Sequence, residues 1–154
     1  MMTSIPYDST PDTTTHIHRV GELLDEVIVL LQERKRLHDL SKLASPEKQI
    51  FDEFTPKLKT STYGSVEYQQ FLQEMGQALN HHHICNRHHP EHFTDGIQDM
   101  SLIDLVEMFC DWKAATERHV NGDLSKSIQL NRQRFGLSHQ LVAVLHNTQL
   151  EMKW

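Results

Sequence analysis

The sequence predicts an all-α protein: one domain, built as a bundle of about six helices. Three observations lead there. Apolar residues recur at three- and four-residue intervals, as in Val20, Leu23, Leu24, Val27 and Leu31, and again in Tyr68, Leu72, Met75 and Leu79. Helix-opening residues stand ahead of such segments: Ser45 before Pro46 and Glu47, then Ser65, Ser101, Asp123 and Ser138. No segment alternates apolar and polar residues as a half-buried strand would. At 154 residues the chain is long enough to bury a core and fits one domain.

In chain order, residues 1–14 are polar, with Pro6, Pro11 and several Ser and Thr, and read as an extended lead-in to a helical domain spanning 15–154. A first helix runs from about Thr15 to Leu37. A short second one begins at Pro46 and ends near Phe54, followed by a loop from Thr55 to Ser65. The third covers about 66–85. Pro90 and Asp95-Gly96 mark 86–100 as loop. Ser101 opens the fourth, with Asp104 three residues on in a capping-box variant; it reaches about Arg118. The fifth follows Asn121-Gly122-Asp123 and stops at Gly136, and the sixth holds Leu141, Val142 and Leu145.

Composition narrows the function. The net charge is −6 and the pI about 6.0, so the basic face of a nucleic-acid binder is lacking and nucleic acid is disfavoured as a partner. No run approaches the roughly 18 apolar residues of a membrane span, and no basic start leads into an apolar stretch as in a secretory signal. Two cysteines, Cys85 and Cys110, make no disulfide framework and suit a reducing, cytoplasmic compartment. A homo-oligomer is left open.

Histidine is the outlier: twelve in all, six of them between His81 and His92. Imidazole is the commonest side-chain metal ligand. His38-Asp39 ends the first helix, where both side chains can turn inward or simply face solvent. His16, four residues before Val20, and His38, seven after Leu31, extend the apolar stripe, which is expected to be buried; His18 falls with Glu22 and Asp25 on the outer face. A straight run of 22 residues between His16 and His38 spans roughly 33 Å, so both serve one site only if the helix bends or breaks. In HHHICNRHHPEH, His82 continues the third-helix stripe, and His88 and His89 precede Pro90. The stretch reads as a ligand cluster, a solvated histidine-rich loop, or a structural zinc site including Cys85. The fourth helix is apolar nearly all round, as in a helix buried on most sides, yet carries Asp104, Glu107 and Asp111. A buried carboxylate needs a cation or metal partner. Asp104 can serve the helix start, which leaves Asp111 as the ligand candidate, or as the salt-bridge partner of Lys113 or Arg118.

His16, then LHDLSKL with His38-Asp39, then the histidine cluster and Asp111, resemble the H…HD…D signature of HD-domain metal-dependent phosphohydrolases. LHDLSKL is similar to the HD-x-x-K segment of the HD-GYP phosphodiesterase branch, and HHPEHFTDGI to its HHE-x-x-DG segment; the GYP tripeptide is absent, Ile97 following Gly96. The chain is also similar, from about His16 to Asn147, to a group of phage and bacterial proteins sharing THI-x-RV, HDLSK, TYGS-x-EY, NRHHPEHF and CDWKAA.

The resemblance implies an HD-like bundle around one or two divalent ions (Mn, Fe, Co, Zn or Mg). His16, His38, Asp39 and Asp111 would hold the first. Asp39 would bridge to a second held by His82, His88 and His89. HD folds bend their helices around the site. The implied activity is hydrolysis of a nucleotide phosphoester (monophosphate, triphosphate or cyclic nucleotide) by metal-activated water. Asp39 would be catalytic, Lys42 and Arg87 would meet the phosphate, and Lys113 is a further candidate. The alternative is a non-catalytic metal- and nucleotide-binding protein, such as a phage protein that sequesters a signal nucleotide or inhibits a host enzyme.

Overall fold

Side-chain caps set most of the helix starts. In the computed structural model, which describes residues 7–62, 64–118 and 121–154, there are six α-helices: α1 (Thr10–Leu37), α2 (Glu47–Thr60), α3 (Val66–Cys85), α4 (Leu102–Thr116), α5 (Leu124–Phe135) and α6 (His139–Met152). The fold class is all-α, and no strand occurs among the described residues. Ser65, Ser101, Asp123 and Ser138 each accept a hydrogen bond from the backbone N–H three residues on, satisfying a donor the helix start leaves free. Ser101 and Asp104 complete a reciprocal capping box. Gly136 ends α5 with φ 66°, a left-handed conformation that glycine adopts without strain.

Packing divides the chain into two units, Met1–Arg36 and Leu37–Trp154. The first unit contains nearly all of α1. That helix starts at Thr10, inside the expected lead-in, because the Asp8 carboxylate accepts from Thr10 N–H and Ser9 C=O from Thr13 N–H. Pro11 lies in the first turn, where its missing N–H is not needed. Residues 1–6 of the lead-in lie outside the described residues. The stripe expected to be buried is not: α1 has no buried residue, and Val20, Leu23, Leu24 and Val27 are 39–57% exposed. Helical periodicity identifies an apolar face but not what covers it.

In the second unit, Met108, Phe109 and Trp112 of α4 pack with Leu124 and Ile128 of α5, Leu137, and Val142 and Leu145 of α6. Phe135 stacks on Trp112, and Trp154 lies against Phe109. α4 is less enclosed than its composition suggests, since Leu102, Val106 and Cys110 are exposed. α2 packs on α3, with Phe54 edge-on to Phe71. α2 also passes Pro56 and continues to Thr60, six residues beyond the expected end. Its apolar face runs on from Phe51 and Phe54 to Leu58, and that packing outweighs the one backbone bond proline removes. α3 bends at Gly76, where φ is 40°.

Ile128 is fully buried among α4, α5 and α6. Ile128→Ala is expected to lower the free energy of urea unfolding by about 2–4 kcal/mol through the lost burial and the cavity left behind.

Candidate metal centre

The cluster belongs wholly to the second unit and starts where α1 ends. Asp39 takes a left-handed conformation (φ 58°, ψ 12°), tolerated by aspartate better than by most residues. Lys42 N–H donates to Asp39 C=O, closing the short 3-10 turn Leu40–Leu43. At the end of α3 the buried face runs Met75, Ala78, His82, so His82 arrives inward at helical spacing and is 1% exposed. Asn86 Nδ2 donates to His82 C=O and to Ser41 Oγ, both at 2.8 Å, and pins the end of α3 to that turn. His88 and His89 follow directly, and a second 3-10 turn begins at Pro90. α4 brings Glu107 and Asp111, one turn apart on one flank of the helix.

These segments aim imidazole nitrogens at one carboxylate oxygen. His82 Nε2 lies 3.3 Å and His88 Nε2 3.5 Å from Asp39 Oδ1, and His82 Nε2 lies 2.9 Å from His89 Nε2. Ligand atoms each about 2.0–2.2 Å from a shared ion sit roughly 3–3.6 Å apart at tetrahedral angles, so the spacing fits a metal. The ligand atoms of Asp39, His82, His88 and His89 all fall within 4.8 Å of one another, and so do those of His38, His88 and Asp111. Asp39 Oδ2 faces the other way: Lys42 Nζ is 2.6 Å from it, and His38 Nε2 3.7 Å.

Carboxylates behind the rings orient them. Glu47, fully buried, accepts from His82 Nδ1 at 2.9 Å through Oε2, from His81 Nδ1 at 2.7 Å through Oε1, and from Ser41 Oγ at 3.0 Å. Glu107 Oε1 lies 3.0 Å from His38 Nδ1 and 3.3 Å from His88 Nδ1. Occupying Nδ1 leaves Nε2 to face the centre, the usual arrangement of a metal-binding histidine. Asp111, then Glu107, push the His38 imidazole up to about 10, against the effect of burial. Burial pushes the Glu107 carboxyl up, but His38 and His88 outweigh it and hold it at about 2. Burial likewise raises Asp39, and His82 and Lys42 overcome it, holding the carboxyl well below its ordinary range. His89 is held neutral, first by burial and then by the imidazoles of His88, His82 and His83. A neutral imidazole and an ionised carboxylate are the forms that bind a metal.

Buried polar atoms without hydrogen bonds test the fit. Among the described residues these are Asp39 Oδ1 and both ring nitrogens of His88. The contacts of His88 with Glu107 and Asp39 are at ion-pair distance without hydrogen-bond geometry. An unsatisfied buried group costs about 1–3 kcal/mol. A cation beside Asp39 Oδ1 and His88 Nε2 would satisfy both, so the donor set fits a divalent transition metal. Which family carries this arrangement follows from the whole chain: residues 6–151 match the profile of a family of unknown function, DUF5662. The chain belongs to the DUF5662 family. No curated protein and no solved structure matches it.

Of the residues expected at the site in this DUF5662 member, the structure gathers His38, Asp39, His82, His88, His89 and Asp111. Lys42 stands at the edge of the cluster, on Asp39. His16 is exposed in the first unit and belongs to none of the potential metal-holding groups among the described residues. Arg87 does not present a free fork for phosphate. Its Nε and Nη2 reach Asp104 Oδ1 and Oδ2 at 3.1 and 3.0 Å, and its plane lies over Phe93. Lys113 pairs with Glu117. Sequence reasoning missed Glu47 and Glu107 as orienting groups. Glu107 lies inside an apolar run one turn before Asp111, and Glu47 falls on the face of α2 that carries Phe54 and Leu58; an acid on an apolar face was the available signal.

Two outcomes follow. Asp39→Ala and Asp111→Ala should lose bound metal on elemental analysis, and Glu107→Gln should weaken metal affinity about 10–100-fold by chelator competition, with unchanged affinity counting against the arrangement. Asp104→Ala should cost about 2–4 kcal/mol in urea unfolding, because it removes the capping box and the partner of Arg87.

Proposed function

We propose that this protein is a metal-dependent phosphohydrolase of the HD type that cleaves a nucleotide phosphoester. One observation carries the reading: Asp39 divides its carboxylate between the converging imidazoles, through Oδ1, and Lys42, through Oδ2. The Asp39 carboxylate lies between Lys42 and the ligand cluster and lets an ammonium stand beside a bound dication, and a substrate phosphate is the anion that both cations together would attract.

Asp39, His82, His88 and His89 would hold one ion, and His38 and Asp111, with His88 or Asp39, a second or an alternative position. A divalent ion supplies a water of lowered pKa and neutralises charge on the phosphoryl oxygens. This chain's own residues do the rest. Lys42, half-buried and lying over Phe51, moves from Asp39 to a phosphate oxygen. Glu107 and Glu47 keep the rings turned with Nε2 inward. In the reaction, oxygen from water forms a bond to phosphorus, the ester P–O bond breaks, and the alcohol leaves with a proton. The nucleotide class is supported by the resemblance to HD phosphohydrolases, and a cytoplasmic setting by two free, exposed thiols. No helix among the described residues is long and apolar enough to cross a membrane.

Turnover on a panel of nucleoside mono-, tri- and cyclic phosphates with Mn, Co, Fe, Mg or Zn tests the reading. Release of phosphate or nucleoside, or opening of a cyclic phosphate to the monophosphate, supports it. Stoichiometric nucleotide binding without turnover would support the sequestering alternative instead. Lys42→Ala should keep fold and metal, while kcat/KM falls by an equivalent of roughly 2–4 kcal/mol, the range for loss of one transition-state donor. Wild-type hydrolysis by that variant would remove Lys42 from the site.

A further inference from the structure

Beside the central cluster lies a second group of ligand-type side chains, of which the proposed hydrolysis uses only Glu47, as the support of His82. His81 and Cys85 stand one turn apart on the last turns of α3, on one face of the helix. Cys85 Sγ is 3.7 Å from His81 Nε2 and 3.8 Å from Nδ1. Glu47 Oε1 is 2.7 Å from His81 Nδ1. Glu47, His81 and Cys85 each offer a ligand atom within 4.8 Å of the others. We propose that Glu47, His81 and Cys85 form a second metal site, one that takes a borderline-soft divalent ion of the zinc class.

The donor chemistry selects the ion. A thiolate with an imidazole and a carboxylate suits zinc or cobalt, whereas magnesium and calcium prefer oxygen alone. The S···N separation matches the roughly 3.6 Å expected for sulfur and nitrogen at tetrahedral angles around one zinc. The shorter Glu47–His81 distance is that of a hydrogen bond; on metal binding the ion takes the place of the shared proton and the two atoms part slightly. Burial supports the site from the inside: Glu47 is 0% exposed, and a buried carboxylate is stabilised by a cation within reach. Cys85 is exposed, so the outer side stays open to solvent, which leaves a position for water and a path for the ion. Glu47 also links the two centres, since its other oxygen holds His82.

Sulfur makes the proposal testable apart from the hydrolase reading, because the central cluster contains no thiol. The metal-free full chain is titrated with Co(II). A thiolate-to-cobalt charge-transfer band in the near ultraviolet is expected in the wild type, in Cys110→Ser and in Asp39→Asn, and is expected to vanish in Cys85→Ser. His81→Ala should weaken the Co(II) affinity read from the band about tenfold or more. In parallel, Zn(II) should slow alkylation of Cys85 by iodoacetamide about tenfold or more, read by peptide mass. No band at saturating Co(II), a band that survives Cys85→Ser, or alkylation of Cys85 at one rate with and without zinc would each overturn the site. Loss of nucleotide turnover in Asp39→Asn with the band retained would leave this proposal standing whatever becomes of the hydrolase reading.

Discussion

A carboxylate oxygen within reach of two imidazoles, Glu107 Oε1 with His38 and His88, is the contact on which the centre depends. It ties three stretches remote in sequence: the segment after α1, the loop after α3, and α4. Glu47 repeats the device with His81 and His82, joining the start of α2 to the end of α3. Removing either acid would take a carboxylate from behind two rings, and an imidazole without that partner loses a restraint that keeps its second nitrogen pointed inward. The positions of the ligands are therefore set by residues that need not touch a metal themselves.

The same acids fix the charge. Asp39, Glu47, Glu107 and Asp111 bring four carboxylates to one region, which the ammonium of Lys42 offsets only in part. Protons on imidazoles supply the balance, which is why His38 is driven up while Glu107 is held low. His89 goes the other way, because burial and then the neighbouring imidazoles outweigh the pull of Asp39. A divalent ion would do the work of those protons from one point, and the buried lone pairs of Asp39 and His88 lie where it would act.

How much of this could be read from the chain differs with the range of the interaction. Helix starts at Ser65, Ser101, Asp123 and Ser138 were legible because a cap bonds three residues away and needs nothing else. The residue types of the cluster were legible too, since His38-Asp39, His82, His88-His89 and Asp111 occur in a recognisable order. What was not legible depends on partners distant in sequence. Arg87 is a free cation to any reading of the sequence, and only the fold shows it locked across seventeen residues onto buried Asp104. The stripe on α1 has ideal spacing but carries no statement of what lies against it, and His16 shares that ambiguity. Glu47 looked like an ordinary acid at a helix start, because nothing local reports that two histidines from α3 would close over it.

α4 shows why the site and the core cannot be separated. One face of it, Met108, Phe109 and Trp112, is held by α5 and α6. The adjoining flank, Glu107 and Asp111, faces His38 and His88. A side chain on a helix moves with the helix, so a shift of α4 to fill a hole in the core carries both acids with it. Packed interiors leave little slack for such shifts. The buried Asp104, held by the helix start and by Arg87, fixes where α4 begins and so fixes which turn presents Glu107. The apolar contacts below and the ion pair at the end together hold the flank of α4 that carries both acids.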